Sequence, residues 1–454
     1  MLFLARSFMF TILILMLVHI GYYANAFTQQ SYKGPTMNDP HLKVEVIFRG
    51  INFPSNMAFL GPNDILVLEK NEGTVKRIVN GTMLRQPLLH VNVATKLERG
   101  MLGIAVARHQ NGPTYVFLYY TQSQAKGGED VSQGKVPLGN RLYRYELIGN
   151  RLLNPKLLLN LPAKPSQMLM SGIHNGGKLL IGPDGNVYLV VGDVGGHQTP
   201  SQNIVEGPPA NGTGGILRVT QDGKVVKGII GDNFPLNLYY AYGIRNSFGM
   251  DFDPMTKKLW DTENGPGFGD EVNLVDPGFN SGWNKVQGLW KPNSSNPYFA
   301  GSMELHPTGL IDFGGRGKYR APELTWYNTV APTALKFINS DKLGKQYKND
   351  MFVGDFDNGN LYDFHLNKSR TGLLLDDSFA GKIVNNSREL QRITFGHGFG
   401  GITDIEVGPD GYLYVLSLFE GGGNCLPPVY TTNCITYSSR VAGTIFRIIP
   451  VETK

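Results

Sequence analysis

Three stretches of the chain carry residues able to do chemistry together. The first is Ser171-Gly172-Ile173-His174-Asn175-Gly176-Gly177-Lys178, followed by the turn Gly182-Pro183-Asp184-Gly185 and a return segment ending at Val191-Gly192-Asp193. Two antiparallel strands of similar length around that turn bring His174 and Asp193 back to one edge of a hairpin. A carboxylate that fixes an imidazole makes it a general base. A histidine beside a turn is more often merely solvated, and spacing leaves both readings open. The second stretch is Gly243-Ile244-Arg245-Asn246. Arg245 sits among apolar residues, where a guanidinium needs an anionic partner: a cofactor carboxylate, a developing oxyanion or an internal Asp. The third, Glu263-Asn264-Gly265-Pro266-Gly267-Phe268-Gly269-Asp270-Glu271, is acidic and rich in Gly. Carboxylates and open backbone carbonyls are the hard oxygen ligands that Ca²⁺ takes, although surface loops share this composition.

The elements that must position these residues recur along the chain. A polar turn followed by alternating aliphatic and aromatic residues occurs at Gly61-Pro62-Asn63-Asp64, Gly182-Pro183-Asp184-Gly185 and Gly408-Pro409-Asp410-Gly411. Looser copies begin near Asn111, Asp253 and Lys348. Each has the length and β-branched or aromatic bias of a strand, with Gly, Asn or Asp in the turn. Several are followed by a second strand of shared type, such as Gly215-Ile216-Leu217-Arg218-Val219 and Gly443-Thr444-Ile445-Phe446-Arg447-Ile448. Helical periodicity is scarce. Six copies at about 70 residues each suit four-stranded blades with long loops, so the expected fold is an all-β six-bladed propeller over residues 27–454. An open stack of β-sandwiches is the alternative. Closure would pair Val44-Glu45-Val46-Ile47-Phe48 with Thr444-Ile445-Phe446-Arg447-Ile448.

Composition limits the partners. With 42 Lys and Arg against 37 Asp and Glu in 454 residues, the formal charge of +5 gives no basic field, so nucleic acid is not expected. Residues 1–26 read as a signal peptide: Arg6, an apolar run from Phe8 to Val18, then Ala24-Asn25-Ala26. This predicts an extracytoplasmic protein that meets a membrane only if the segment stays uncleaved. Cys425 and Cys434 are the only cysteines. In an exported chain they read as one disulfide closing a short loop.

Taken in order, the motifs resemble the soluble glucose and sorbosone dehydrogenases that use pyrroloquinoline quinone on a six-bladed propeller. The markers are Glu98-Arg99-Gly100-Met101-Leu102-Gly103, His174-Asn175-Gly176-Gly177-Lys178, Gly192-Asp193, Gly243-Ile244-Arg245-Asn246, Gly265-Pro266 with Gly269-Asp270-Glu271, and Asn280-Ser281-Gly282-Trp283. The resemblance implies that His174 is the base for the anomeric hydroxyl, that Asp193 orients it, and that Arg245 stabilises charge on the quinone. Glu98, Asn246 and Thr329 fall at cofactor-side positions. The carbonyls of Gly265 and Pro266 would hold a Ca²⁺ that also chelates the quinone, and Glu271 with the Ser281 carbonyl a second, structural Ca²⁺. The substrate implied is an aldose, with electrons passed to an external acceptor.

The chain departs from the type members where they place a Gln (here Glu98), a Lys (near Asp357) and two Arg (near Gly401 and Thr403). Those cations neutralise the cofactor's carboxylates, and Lys318 or Arg320 are candidate replacements. A non-catalytic extracellular propeller that binds sugar or protein is the rival reading, and a Ca²⁺-dependent lactonase a third.

Overall fold

The computed structural model describes residues 34–124, 137–163, 172–196, 199–377, 379–419 and 442–452. The signal-peptide and disulfide expectations concern residues outside this set. From Pro35 onward the described residues belong to one compact unit. They are almost entirely strand and loop, with one short α-helix, Ser387–Ile393.

Strand formation follows the expected turns. In Gly182-Pro183-Asp184-Gly185, Gly185 takes a φ of +75°, and Gly411 takes +82° in the matching turn; such values favour glycine. Asp184 Oδ2 accepts from the Tyr188 hydroxyl at 3.0 Å, and Asp410 Oδ2 from that of Tyr414 at 2.8 Å. The same bond thus fixes the turn to its strand in both copies. All six copies become the second strand of their sheets: Asp64–Glu69, Thr114–Gln122, Val187–Val191, Leu259–Glu263, Met351–Asp355 and Leu413–Ser417.

These strands are buried on both faces. Val187, Leu189 and Val191 join an apolar cluster with Leu102, Phe117 and Tyr119 of the preceding sheet, while Tyr188 and Val190 join Met250, Leu259 and Val275 of the following one. Alternation of period two therefore divides one continuous apolar run between two interfaces. The same arrangement links each sheet to the next, and Ile51, Ile65, Leu416 and Ile445 join the last sheet to the first. Closure also runs through hydrogen bonds. Leu42–Asn52 pairs antiparallel with Ala442–Pro450, with Val44 opposite Ile448 and Val46 opposite Phe446. This is the pairing expected from the sequence, and the fold is an all-β propeller.

The expectation of six four-stranded blades needs correction. Five sheets have four or five strands, whereas the one beginning at Leu179–Ile181 reaches six by adding Phe279–Asn280 and Lys318–Tyr319 in parallel. A separate two-stranded ribbon, Trp290–Pro292 with Ala300–Met303, belongs to the same long excursion. Residues beyond the four-strand unit are spent on loops over one end of the ring.

Charged side chains from the innermost strands meet near the axis. Lys178 Nζ contacts Asp404 Oδ1 at 2.6 Å and Glu406 Oε1 at 2.9 Å; Lys336 Nζ contacts Glu406 Oε2 at 2.8 Å and Asp251 Oδ1 at 3.5 Å. Asp404 Oδ2 also accepts from the Met57 N–H at 2.9 Å. Residues from five sheets are joined in this way. Lys178 and Asp404 are almost wholly buried, so removing one charge strands its partners in a poorly solvating interior. Lys178→Met is expected to destabilise the protein by about 3–5 kcal/mol, read as a lower midpoint in urea unfolding; an unchanged midpoint would mean that the network does not brace the ring.

Candidate functional site

Loops from every sheet converge on one cavity of about 490 Å³, within the range typical of small-molecule sites. Its wall includes Lys70, Glu98, His174, Arg245, Asn246 and Asp270. Gly265, Pro266, Thr329, Asp357 and Thr403 also line it. Segments far apart in the chain meet here because each loop leaves the same end of its sheet.

The hairpin built on Leu179–Ile181 and Val187–Val191 does what its spacing predicts. His174 Nδ1 lies 2.6 Å from Asp193 Oδ1. Asp193 is pinned further by the Gly195 N–H on Oδ1 (2.8 Å) and by the Trp283 indole N–H on Oδ2 (2.8 Å). Burial alone would favour its neutral form, but His174, Arg245 and the Trp283 bond together hold its pKa at about 2. The carboxylate is therefore charged at any ordinary pH and accepts the imidazole Nδ1–H, which leaves Nε2 as the proton acceptor.

The backbone is shaped to the same end. His174 has a φ of +57°, a costly conformation for a residue with a side chain. Its N–H donates to Glu98 Oε2 at 2.5 Å, and its carbonyl accepts from Val194 at 3.2 Å. Gly192 permits the close approach behind it. A Cβ there would lie 2.5 Å from the His174 carbonyl oxygen and 2.7 Å from that of Arg245.

Arg245 is buried beside this pair. Its Nη1 donates to the carbonyls of Asn264 (2.7 Å) and Gly265 (3.0 Å), its backbone N–H to Glu263 Oε1 (2.7 Å), and its guanidinium carbon lies 5.4 Å from the Trp283 ring centre. Burial lowers its pKa, opposed by Asp193, Glu98, Asp270 and Glu263. Glu98 stands between the two halves of the site, accepting from His174 N–H and, at 3.4 Å, from Asn246 Nδ2. Asn246 Oδ1 and Asn264 Oδ1 are buried without hydrogen-bond partners, an arrangement that costs free energy unless a ligand donor or a cation satisfies it.

Behind the cavity wall lies a second polar cluster. Cross-strand pairing places Asp261 opposite Asn273 and Glu263 opposite Glu271. The Ser281 hydroxyl lies 2.7 Å from Glu263 Oε2 and 3.1 Å from Glu271 Oε2. Gln287 Nε2 donates to Glu271 Oε1 at 3.0 Å. Glu271 and Ser281 therefore meet as expected, although through the serine hydroxyl. Neither oxygen of Asp261 receives a hydrogen bond, Asn273 donating instead to Glu271, and the amide oxygens of Asn273 and Gln287 also lack partners. Burial, with repulsion from Glu263, pushes Asp261 and Glu271 well above the carboxylate range, and burial lifts Glu263 to about 7. Oxygen-rich surroundings of this kind fit a hard divalent cation.

Every residue proposed from the sequence for catalysis or cofactor contact lies on or directly behind the cavity wall, and so do Gly265 and Pro266. Lys318 and Arg320 do not. Arg320 pairs with Glu323 at 2.6 Å and with the Thr371 carbonyl at 2.8 Å, away from the cavity. Neither supplies the replacement cation expected. A lysine that does reach the wall is Lys70, whose Nζ donates to the Arg99 carbonyl at 2.8 Å and to Asn71 Oδ1 at 2.7 Å. Sequence reasoning passed over Lys70, the positioning role of Trp283, and Asp270. Asp270 accepts from the N–H groups of Gly265, Val330 and Ala331 at 2.7, 2.7 and 2.8 Å, and burial lifts its pKa to about 7. The motifs around Trp283 and Asp270 were visible; their direction of contact was not.

Known proteins resemble this chain over most of its length. The aldose sugar dehydrogenase of Escherichia coli K12 is 25% identical over 382 residues, 83% of this chain and 90% of that protein. Quinoprotein glucose dehydrogenase B of Acinetobacter calcoaceticus is 29% identical over 323 residues, 65% of each. Among solved structures, a glucose dehydrogenase-like oxidoreductase from Thermus thermophilus superposes with a TM-score of 0.63 at 25% identity, over 90% of this chain and all of that one. The PQQ-bound aldose sugar dehydrogenase of Streptomyces coelicolor gives 0.60 at 21%, over 91% and 99%, and shows the shared fold. The family model for glucose/sorbosone dehydrogenase matches residues 51–424, and with the cavity and its histidine–aspartate pair in place, the chain belongs to that family.

Proposed function

We propose that the protein is a secreted quinoprotein sugar dehydrogenase that oxidises an aldose at its anomeric carbon and passes the electrons to an external acceptor. The blade-sized sheets are read as a six-bladed ring around the site. The observation that carries the reading is His174 on the cavity wall with Nδ1 committed to a buried, charged Asp193. Secretion rests on the first 26 residues alone; among the described residues no helix is long and apolar enough to cross a membrane.

Pyrroloquinoline quinone with Ca²⁺, when bound, would supply the hydride acceptor and its Lewis-acid activation. The reacting end of the cavity fits that group. Asn246, Thr329 and Arg245 line it; the Gly265 carbonyl keeps a lone pair beyond its bond to Arg245, and the unsatisfied Asn246 and Asn264 oxygens can face a cation or a ligand donor. Lys70 and Arg245 are the cations that would meet its carboxylates. His174 takes the proton of the substrate hydroxyl at Nε2. Asp193 stabilises the imidazolium that results and keeps the ring from rotating. Arg245, fixed by two carbonyls and the Trp283 face, stabilises negative charge developing beside it. The Asp261, Glu263 and Glu271 cluster would hold the second Ca²⁺ and so brace the strand that ends at Arg245's partner Glu263.

One observation favours a second reading, a non-catalytic propeller that binds a sugar. Asp357 and Thr403 line the cavity where type members carry cations, and Asp357 adds a third carboxyl group to the wall beside Glu98 and Asp270. A cofactor titration separates the two. Adding the quinone and Ca²⁺ to apoprotein should give saturable binding and sugar-dependent dye reduction; sugar binding without quinone binding would favour the second reading.

Three outcomes are expected. His174→Ala should lower turnover by about 10²–10⁴-fold while the quinone dissociation constant, followed by fluorescence, stays within a few-fold; undiminished turnover would reject the base assignment. Asp193 has a pKa of about 2 in the folded state, below the roughly 3.9 of an unfolded chain. Its contribution to stability is thus complete above the unfolded value and is lost as pH falls through the folded one. The gap in melting temperature between wild type and Asp193→Asn should be constant at neutral pH and narrow between about pH 4 and 2. Finally, Ca²⁺ should raise the melting temperature of chelator-treated protein, and Glu271→Gln should remove most of that rise. An equal rise in the variant would place the stabilising ion elsewhere.

A further inference from the structure

A second group of metal-ligand side chains lies on the sheet containing Met351–Asp355 and Leu361–Phe364, apart from the central cavity. These strands pair antiparallel with Met351 opposite Phe364 and Phe352 opposite Asp363. Asp350 and His365, one residue beyond each strand end, therefore continue the register opposite one another. Asp363, two residues before His365, shares its face. Strand geometry alone gathers two carboxylates and an imidazole, and their ligand atoms all lie within 4.8 Å of one another.

The contacts among them leave carboxylate oxygens unmatched. His365 Nδ1 and Asp350 Oδ2 are 2.8 Å apart. Beyond the imidazole, that oxygen meets no hydrogen-bond donor, although Asp350 is only 6% exposed. Asp363 Oδ1 is likewise buried and unpartnered. Nearby Arg370 does not satisfy them: its Nε is bound to Asp253 Oδ2 at 2.8 Å and its Nη2 to the Asn349 carbonyl at 2.7 Å. Two buried carboxylate oxygens and a ring nitrogen are thus gathered at one place with few other donors to satisfy them. Ligands of one ion are gathered in this way. Bonds of about 2.0–2.1 Å in a tetrahedral site put ligand atoms roughly 3.3 Å apart, inside the observed spread.

We propose that Asp350, Asp363 and His365 bind a divalent first-row transition ion of the zinc class. One imidazole and two carboxylates suit zinc better than calcium, which takes six to eight oxygens. His365 is half exposed, and Asp363 and His365 border an open cavity of about 650 Å³. Solvent can therefore complete the coordination. The site joins both ends of the hairpin whose turn carries Asp357 to the central cavity, and it stands or falls independently of the function proposed above.

Cobalt(II) is the probe, since its visible absorption reports nitrogen ligation and four-coordination that an all-oxygen calcium site does not give. The full chain, stripped with chelator and then kept in excess Ca²⁺ to fill oxygen sites, is titrated with Co²⁺. One saturable equivalent with a visible band is expected. His365→Ala should abolish the band, and Asp363→Asn should weaken binding at least as much as loss of an outer-shell partner does, roughly 10- to 100-fold. Both positions are partly exposed, and circular dichroism verifies their folding. Absence of saturable binding in the wild type, or a band that survives His365→Ala, would overturn the proposal.

Discussion

A carboxylate with almost no contact with water stays charged only if donors converge on it, and Asp193 is that carboxylate. His174, Trp283 and the Gly195 N–H supply the hydrogen bonds, and Arg245 adds its charge from the next loop. These groups come from one hairpin, the connection after it, and a long excursion that returns at Trp283. None could be moved without leaving a buried polar group unmatched, an expensive outcome in a low dielectric. The requirement ties the active end of the cavity to the packing of the loop that carries Trp283.

Closure of the ring rests on two different forces. Apolar runs buried on both faces stack each sheet against the next, which is nondirectional and tolerant of drift. The lysine–carboxylate network around the axis is directional and joins residues of five sheets. It opposes that drift and sets the floor of the cavity through Lys178, which lines it. His174, Asp193 and Arg245 stand on loops above that floor.

Much of this could be read from residues alone. Turn glycines followed by short β-branched runs gave six strands, each of which became the second strand of its sheet, and the two ends of the chain paired as expected. His174 and Asp193 were assigned to one edge because a short hairpin allows little else. Equivalence of the blades was not legible. The parallel additions to the third sheet are two-residue strands whose pairing depends on a long excursion, and such segments have no periodicity to detect. Lys318 and Arg320 failed as cation replacements for a related reason: charge type is written in the sequence, but which way a loop carries it is not.

The sequence by itself therefore determined strand identity, ring closure and the histidine–aspartate pair, since each follows from local alternation, turn chemistry or short hairpin geometry. Only the tertiary structure decided that Trp283 anchors Asp193, that Lys70 rather than Lys318 reaches the cavity, and that Asp261 joins Glu263 and Glu271. These contacts depend on where distant loops and side chains pack once the ring has closed. Spacing along the chain holds no measure of that distance.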